Sequence, residues 1–149
     1  MSDFTDVLLL FSGLEDDAME YLVGLDLREQ GVGGGNLKRV SADHPSGHWG
    51  GHVGAECHAV AGTFNHLDTE TLRRRLRAAP WKCPHGVQLL LHNENDVLFG
   101  LWMLLDGQWA EVRLPRTARA ASRGRLQRTD CPDDEFSADA PEADMPNRP

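Results

Sequence analysis

Apolar and polar positions divide the chain into short runs with two different periods. Val7, Leu8, Leu9, Leu10 and Phe11 form a continuous apolar run of strand length, which suits a central strand covered by helices. Ser12-Gly13-Leu14-Glu15 follows as a Ser-x-x-Glu capping box at a helix start. Glu15, Asp16 and Asp17 then sit in the first turn, where negative charge favours the helix dipole. Leu14, Ala18, Leu22 and Leu25 recur at helical spacing with Tyr21 alongside, and Gly31 is the expected stop. Gly33-Gly34-Gly35 reads as a flexible connection. Residues 37–40 read as a short strand, residues 43–51 as a Gly-, Pro- and His-rich loop, and residues 53–64 as a strand of loose alternation. Gly54 and Gly62 mark the ends of that strand or a bulge in it.

The second helix has stronger local signals. Asp68 is an N-cap with Glu70 in the first turn. Leu72 and Leu76 lie one turn apart, Ala79 follows, and Pro80 ends the helix. Residues 87–91 read as a strand, 93–96 as a turn and 97–105 as the paired strand. Asp106-Gly107 is a tight-turn dipeptide, residues 108–114 return as a last strand, and Pro115 closes the domain. The order is strand, helix, strand, strand, helix, strand, then one or two hairpin strands. It is the split βαβ pattern of an α+β, ferredoxin-like sandwich (βαββαβ plus one or two added antiparallel strands), with both helices on one face of one sheet. A mostly parallel α/β sheet fits less well, because residues 87–114 contain two hairpins.

Charge sharpens the domain boundary. The chain has 149 residues and a net charge of -8, but residues 1–114 carry -7, residues 115–129 carry five arginines and no acid, and residues 130–149 carry -6. The last 35 residues hold a single aromatic, Phe136, too little apolar surface to offset the entropy of ordering them. The expectation is a single domain over 1–114 and a disordered tail over 115–149, basic over 115–129 and acidic over 130–149. The acidic domain argues against general nucleic-acid binding, which leaves the tail's arginine block as a weak nucleic-acid contact. No apolar run approaches the roughly 20 residues of a membrane span, and the acidic start lacks the basic flank of a signal peptide. Cys57, Cys83 and Cys131 are an odd set, unlike a disulfide framework. A cytoplasmic protein with reduced thiols is expected. Of the 15 basic residues only Lys38 and Lys82 are lysine, a skew that suggests a GC-rich bacterial or phage genome.

Candidate chemistry is scattered. His44, His48, His52, His58 and His66 crowd one stretch. His44, His48 and His52, with Cys57 and His58 nearby, are the candidate ligands for zinc or another divalent ion. Pro45, Gly47, Gly50 and Gly51 interrupt that spacing, and the paired Cys-x-x-Cys or His-Glu-x-x-His pattern is missing, so a solvated His-rich loop is favoured. The glycines at 31 and 33–35 follow a helix and precede a strand, the wrong order for a phosphate loop. Cys57 and His58 are neighbours on a strand and point to opposite faces, so they do not form a nucleophile–base pair. His58, His66 and His92 are the weak catalytic candidates.

Arg73, Arg74, Arg75 and Arg77 are the one dense basic group in the folded part. A solvated helix face explains them; a second reading lets Asp133-Asp134-Glu135 of the tail fold back onto them. Trp102 and Trp109, with Arg73, Arg74 and Arg77, are the candidate partner-binding residues. If either tryptophan faces solvent with Leu101 or Leu105, that sheet face is a docking surface. The leading expectation is a small interaction or regulatory protein that binds another protein, with a homodimer through the sheet as one form. The alternatives are a dimeric α+β-barrel enzyme using histidines between helices and sheet, and a metal-binding module built on the His-rich loop.

Overall fold

The computed structural model describes residues 3–40 and 53–112. Strand β1 (Phe4–Ser12) leads to α1 (Asp16–Gly24), a two-residue β2 (Lys38–Arg39), β3 (Cys57–Asn65) and α2 (Thr69–Arg77). A 3-10 turn (Pro84–Gly86) then precedes β4 (Gln88–Asn93), β5 (Gly100–Leu105) and β6 (Gln108–Val112). The six strands form one antiparallel sheet in the order β2-β3-β1-β4-β5-β6. The fold is therefore α+β. Among the described residues no helix is long and apolar enough to cross a membrane. His44, His48 and His52, and the charged tail from Pro115 onward, lie outside the described residues.

Alternation in β1 decides the layers. Thr5, Val7, Leu9 and Phe11 are buried, whereas Leu8 and Leu10 are half-buried. Both helices lie on the buried side. Ala18, Met19 and Leu22 of α1 and Leu72 and Leu76 of α2 share one core with Val7, Leu9, Val60, Phe64 and Leu89. Each such leucine contributes about 1.5–3 kcal/mol on burial. Helices of 9 residues need that packing, being too short to persist alone. The apolar run of β1 is central, as its composition predicts, but its helix cover is on one face only.

The second helix begins as its sequence predicts: Asp68 Oδ1 accepts from the backbone N–H groups of Glu70 (3.1 Å) and Thr71 (3.0 Å). The first does not. No side-chain cap bond forms at Glu15, and Leu14 is 78% exposed ahead of the helix. The capping box fails because Glu15 turns into the core instead of back along the chain. The first helix also ends at Gly24, short of Gly31, and Leu27 and Val32 continue into the core without helix.

Nor is the glycine segment slack. Gly34 N–H donates to the Asn65 carbonyl at 2.9 Å, and a Cβ at Gly35 would lie 2.5 Å from the Thr63 carbonyl oxygen. At Gly62 an added Cβ would lie 2.5 Å from the Asn36 carbonyl oxygen. These positions let residues 33–37 run against the outer side of β3, which a side chain would hold away.

Candidate functional site

The sheet register separates the residues that spacing alone had left together. His58 pairs with Phe11 and lies on the helix-covered face. Its Nε2 is 2.9 Å from Asp16 Oδ1 at the start of α1. His92 pairs with Asp6 on the opposite face, with Nδ1 3.9 Å from Asp6 Oδ2 and its ring stacked on Phe99 at 4.8 Å. His66 occupies the turn between β3 and α2 with φ 54, and its N–H donates to the Asp3 carbonyl. The three histidines thus belong to three different places and share no catalytic centre. Cys57 pairs with Ser12 beside the open face, away from His58. Among the described residues no three His, Cys, Asp or Glu side chains converge as metal ligands; His44, His48 and His52 lie outside them.

Glu15 is the residue that sequence reasoning misassigned. It is 1% exposed, and its carboxylate accepts from Lys82 N–H (2.9 and 3.1 Å) and Cys83 N–H (2.6 Å). Lys82 Nζ closes the same corner on the Leu14 carbonyl (3.3 Å) and Asp17 (3.5 Å). The group ties the start of α1 to the connection between α2 and β4.

Two surfaces remain. The first is the open face of the sheet, on which neither helix packs. The register aligns Ala61, Leu8, Leu90, Leu101 and Val112 in one row across five strands, and Ala59, Leu10, Gln88, Met103 and Ala110 in the next. Only Gln88 among these ten is polar. Most are half-buried; Phe4, Leu105 and Val112 on this face, and Phe99 at its border, are 37–43% exposed. The next row, Thr63, Asp6 and His92, is polar, with Thr63 Oγ1 donating to Asp6 Oδ1 at 2.7 Å. It forms an edge to the apolar field.

The second is a cleft of about 250 Å³ between α2 and β6, lined by Glu70, Arg73, Arg74, Arg77, Gln108 and Trp109. Arg73 donates to the Thr69 carbonyl (3.2 Å) and lies 4.1 Å over the Trp102 ring, a cation–π placement. Arg74 donates to Thr71 Oγ1 (3.2 Å) and Arg77 to Gln108 Oε1 (3.1 Å). Trp109 Nε1 donates to the Arg73 carbonyl at 2.7 Å, which fixes the cleft floor. Glu70 is the carboxylate that lines the cleft with them.

The tryptophans therefore face α2, not solvent. Leu101 and Trp102 are adjacent on β5 and point to opposite faces, so the apolar field is made by Leu101, Met103 and Leu105 without them. A further cavity of about 320 Å³ lies beside Thr5, Asn93 and Trp102. Asn93 Nδ2 donates there to Asp3 Oδ1 and to Thr5 Oγ1, whereas the buried Trp102 Nε1 has no hydrogen-bond partner among the described residues. No protein-family model, curated protein or solved structure matches this chain.

Proposed function

We propose that this chain is a small protein-binding module whose docking surface is the open face of the sheet. The observation that carries this reading is the unbroken apolar row Ala61, Leu8, Leu90, Leu101 and Val112. A contiguous apolar field of that width is unusual on a surface that stays wet. The occupant is a folded protein with a matching apolar patch, either a different protein or a second copy. The dispersed histidines weigh against the enzyme alternative. We further read β2-β3-β1-β4 with α1 and α2 as a ferredoxin-like unit extended by the β5–β6 hairpin; the strand order and antiparallel pairing support that reading. The cell compartment proposed is a bacterial or phage-host cytoplasm, on composition.

The test compares Leu101→Asp with Glu20→Gln. Leu101 is central in the apolar row, and Glu20 is exposed on α1, on the other side of the sheet. The wild-type chain is used to capture and identify a partner, and its own mass is followed by light scattering across concentrations. Leu101→Asp is expected to weaken the partner complex, or the self-complex, by at least about 30-fold, the effect of losing a central contact residue. Glu20→Gln is expected to leave it unchanged. A complex equally tolerant of both substitutions, with both variants folded by circular dichroism, overturns the proposal.

A further inference from the structure

The cleft between α2 and β6 is independent of the open face. The hydrogen bonds and ring contact of its three arginines go to neutral groups: a backbone carbonyl and an indole ring for Arg73, a hydroxyl for Arg74 and an amide oxygen for Arg77. Glu70 also lines the cleft and Arg74 shares its charge with Asp68, so Arg73 and Arg77 carry most of the free positive charge. Neutral anchors orient a guanidinium without cancelling its charge. Each arginine carries five donors in a fixed fork, so most of the donors in this cleft remain available. Such an array is complementary to closely spaced carboxylates, to which arginine donates bidentately.

The rest of the molecule narrows the choice of ligand. Residues 1–114 carry a net charge of -7 even with these arginines included, so the field beyond the cleft opposes a free anion arriving from solution. A tethered anion escapes most of that penalty, because a linker long enough to reach holds it at an effective concentration in the millimolar range. The chain supplies one. Asp130, Asp133, Asp134 and Glu135 place four acids within six residues of one segment. From the end of β6 at Val112, 17 residues precede Asp130, with a reach of about 3.3–3.6 Å each when extended. The return path to Gln108 and Trp109 is only the length of β6, 5 residues. Reach is therefore not limiting. The arginines at 116–128 are the competitors for the same acidic run. Ion pairs between exposed side chains contribute about 0–1 kcal/mol each, whereas the cleft presents three guanidiniums already positioned by hydrogen bonds.

We propose that the α2–β6 cleft is a receptor for the chain's own acidic segment, residues 130–135, bound in cis. The cleft is then self-occupied, and a competing acidic peptide gains entry only by displacing that segment.

The native Cys131 lies inside the segment and permits a direct test on the full chain. Cys57 and Cys83, both exposed and free, are changed to serine, and a nitroxide is attached to Cys131. In the ¹⁵N-labelled protein the label is expected to broaden the Trp109 indole N–H resonance selectively, with the Trp81 indole, bonded to the Leu76 carbonyl, as the internal reference. Broadening is expected to fall at least several-fold in the Arg73→Gln/Arg77→Gln variant, in the Asp133→Asn/Asp134→Asn/Glu135→Gln variant, and in about 1 M salt, where the screening length is about 3 Å. Unchanged dispersion of the other indole resonances verifies that each variant is folded. A mixture of labelled ¹⁴N chains with unlabelled ¹⁵N chains separates cis from trans occupancy. Absence of selective broadening, broadening that survives both sets of substitutions, or broadening of equal size in the mixture overturns the proposal.

Discussion

Glu15 and Asp68 are both acidic residues at helix starts, yet they act in different directions. Glu15 faces inward and holds the N–H groups of Lys82 and Cys83. Glu15→Ala leaves those donors without an acceptor and is expected to destabilise the fold by about 1–3 kcal/mol. Glu15→Gln keeps one carbonyl oxygen and should fall between. The check is the urea midpoint at unchanged slope. Asp68 faces solvent, and the N–H and hydroxyl groups of Thr71, then the N–H of Glu70 and the charge of Arg74, hold its carboxyl below its ordinary value of 3.8. A carboxyl lowered in the folded state contributes stability that is complete above the unfolded value and is lost as pH falls through the folded one. The wild-type chain is therefore expected to lose stability below about pH 4 more steeply than Asp68→Asn, by thermal melts across pH. Asp68 was legible in the sequence because its partners are two and three residues away. Glu15 was not, because the capping-box pattern is local while its real partners stand at positions 82 and 83.

At the scale of elements, periodicity located β1, α2, β4 and the hairpin at Asp106-Gly107, where both residues have positive φ (49 and 72), as the tight hairpin turn requires. It placed α1 with the wrong ends, since Leu14, Ala18 and Leu22 keep helical spacing whether or not Leu14 is in the helix. Trp102 and Trp109 show the same limit. Alternation says that Leu101 and Trp102 part company, but which side the helices cover depends on β1 and β3, distant in sequence. The cleft shows it again: the arginines were visible, while Gln108 and Trp109 join them only through sheet order. The connection of residues 33–37 to β3 gives a prediction with an internal control. Gly62→Ala forces a methyl against the Asn36 carbonyl and is expected to destabilise by about 1–3 kcal/mol, with amide exchange rising first in residues 33–40. Gly24→Ala, at the end of α1 with nothing within 4 Å of the added carbon, is expected to stabilise by up to about 1 kcal/mol.

Across the whole molecule, the apolar row and the arginine cleft lie on opposite sides of one sheet and depend on different forces. The proposed docking through the row would be driven by removal of apolar surface from water and is expected to persist in about 1 M salt; the proposed occupancy of the cleft is expected to vanish there. Titrating salt while following partner binding and the Trp109 indole in one sample checks that the two are separable. The net charge of -8 hides this division, since a basic cleft and an acidic surround contribute to one number. The position of β1 has a consequence in time as well as in space. Leu9 is bracketed by Val60 and Leu89, both far downstream, so β1 leaves the ribosome before either neighbour exists. The local β4–β5–β6 meander can pair soon after its synthesis, but the centre of the sheet closes only by long-range search, which is slow. Until then the run from Val7 to Phe11 is an unpaired sticky strand, and a nascent chain of this protein is most in need of a chaperone between the emergence of β1 and that of β4.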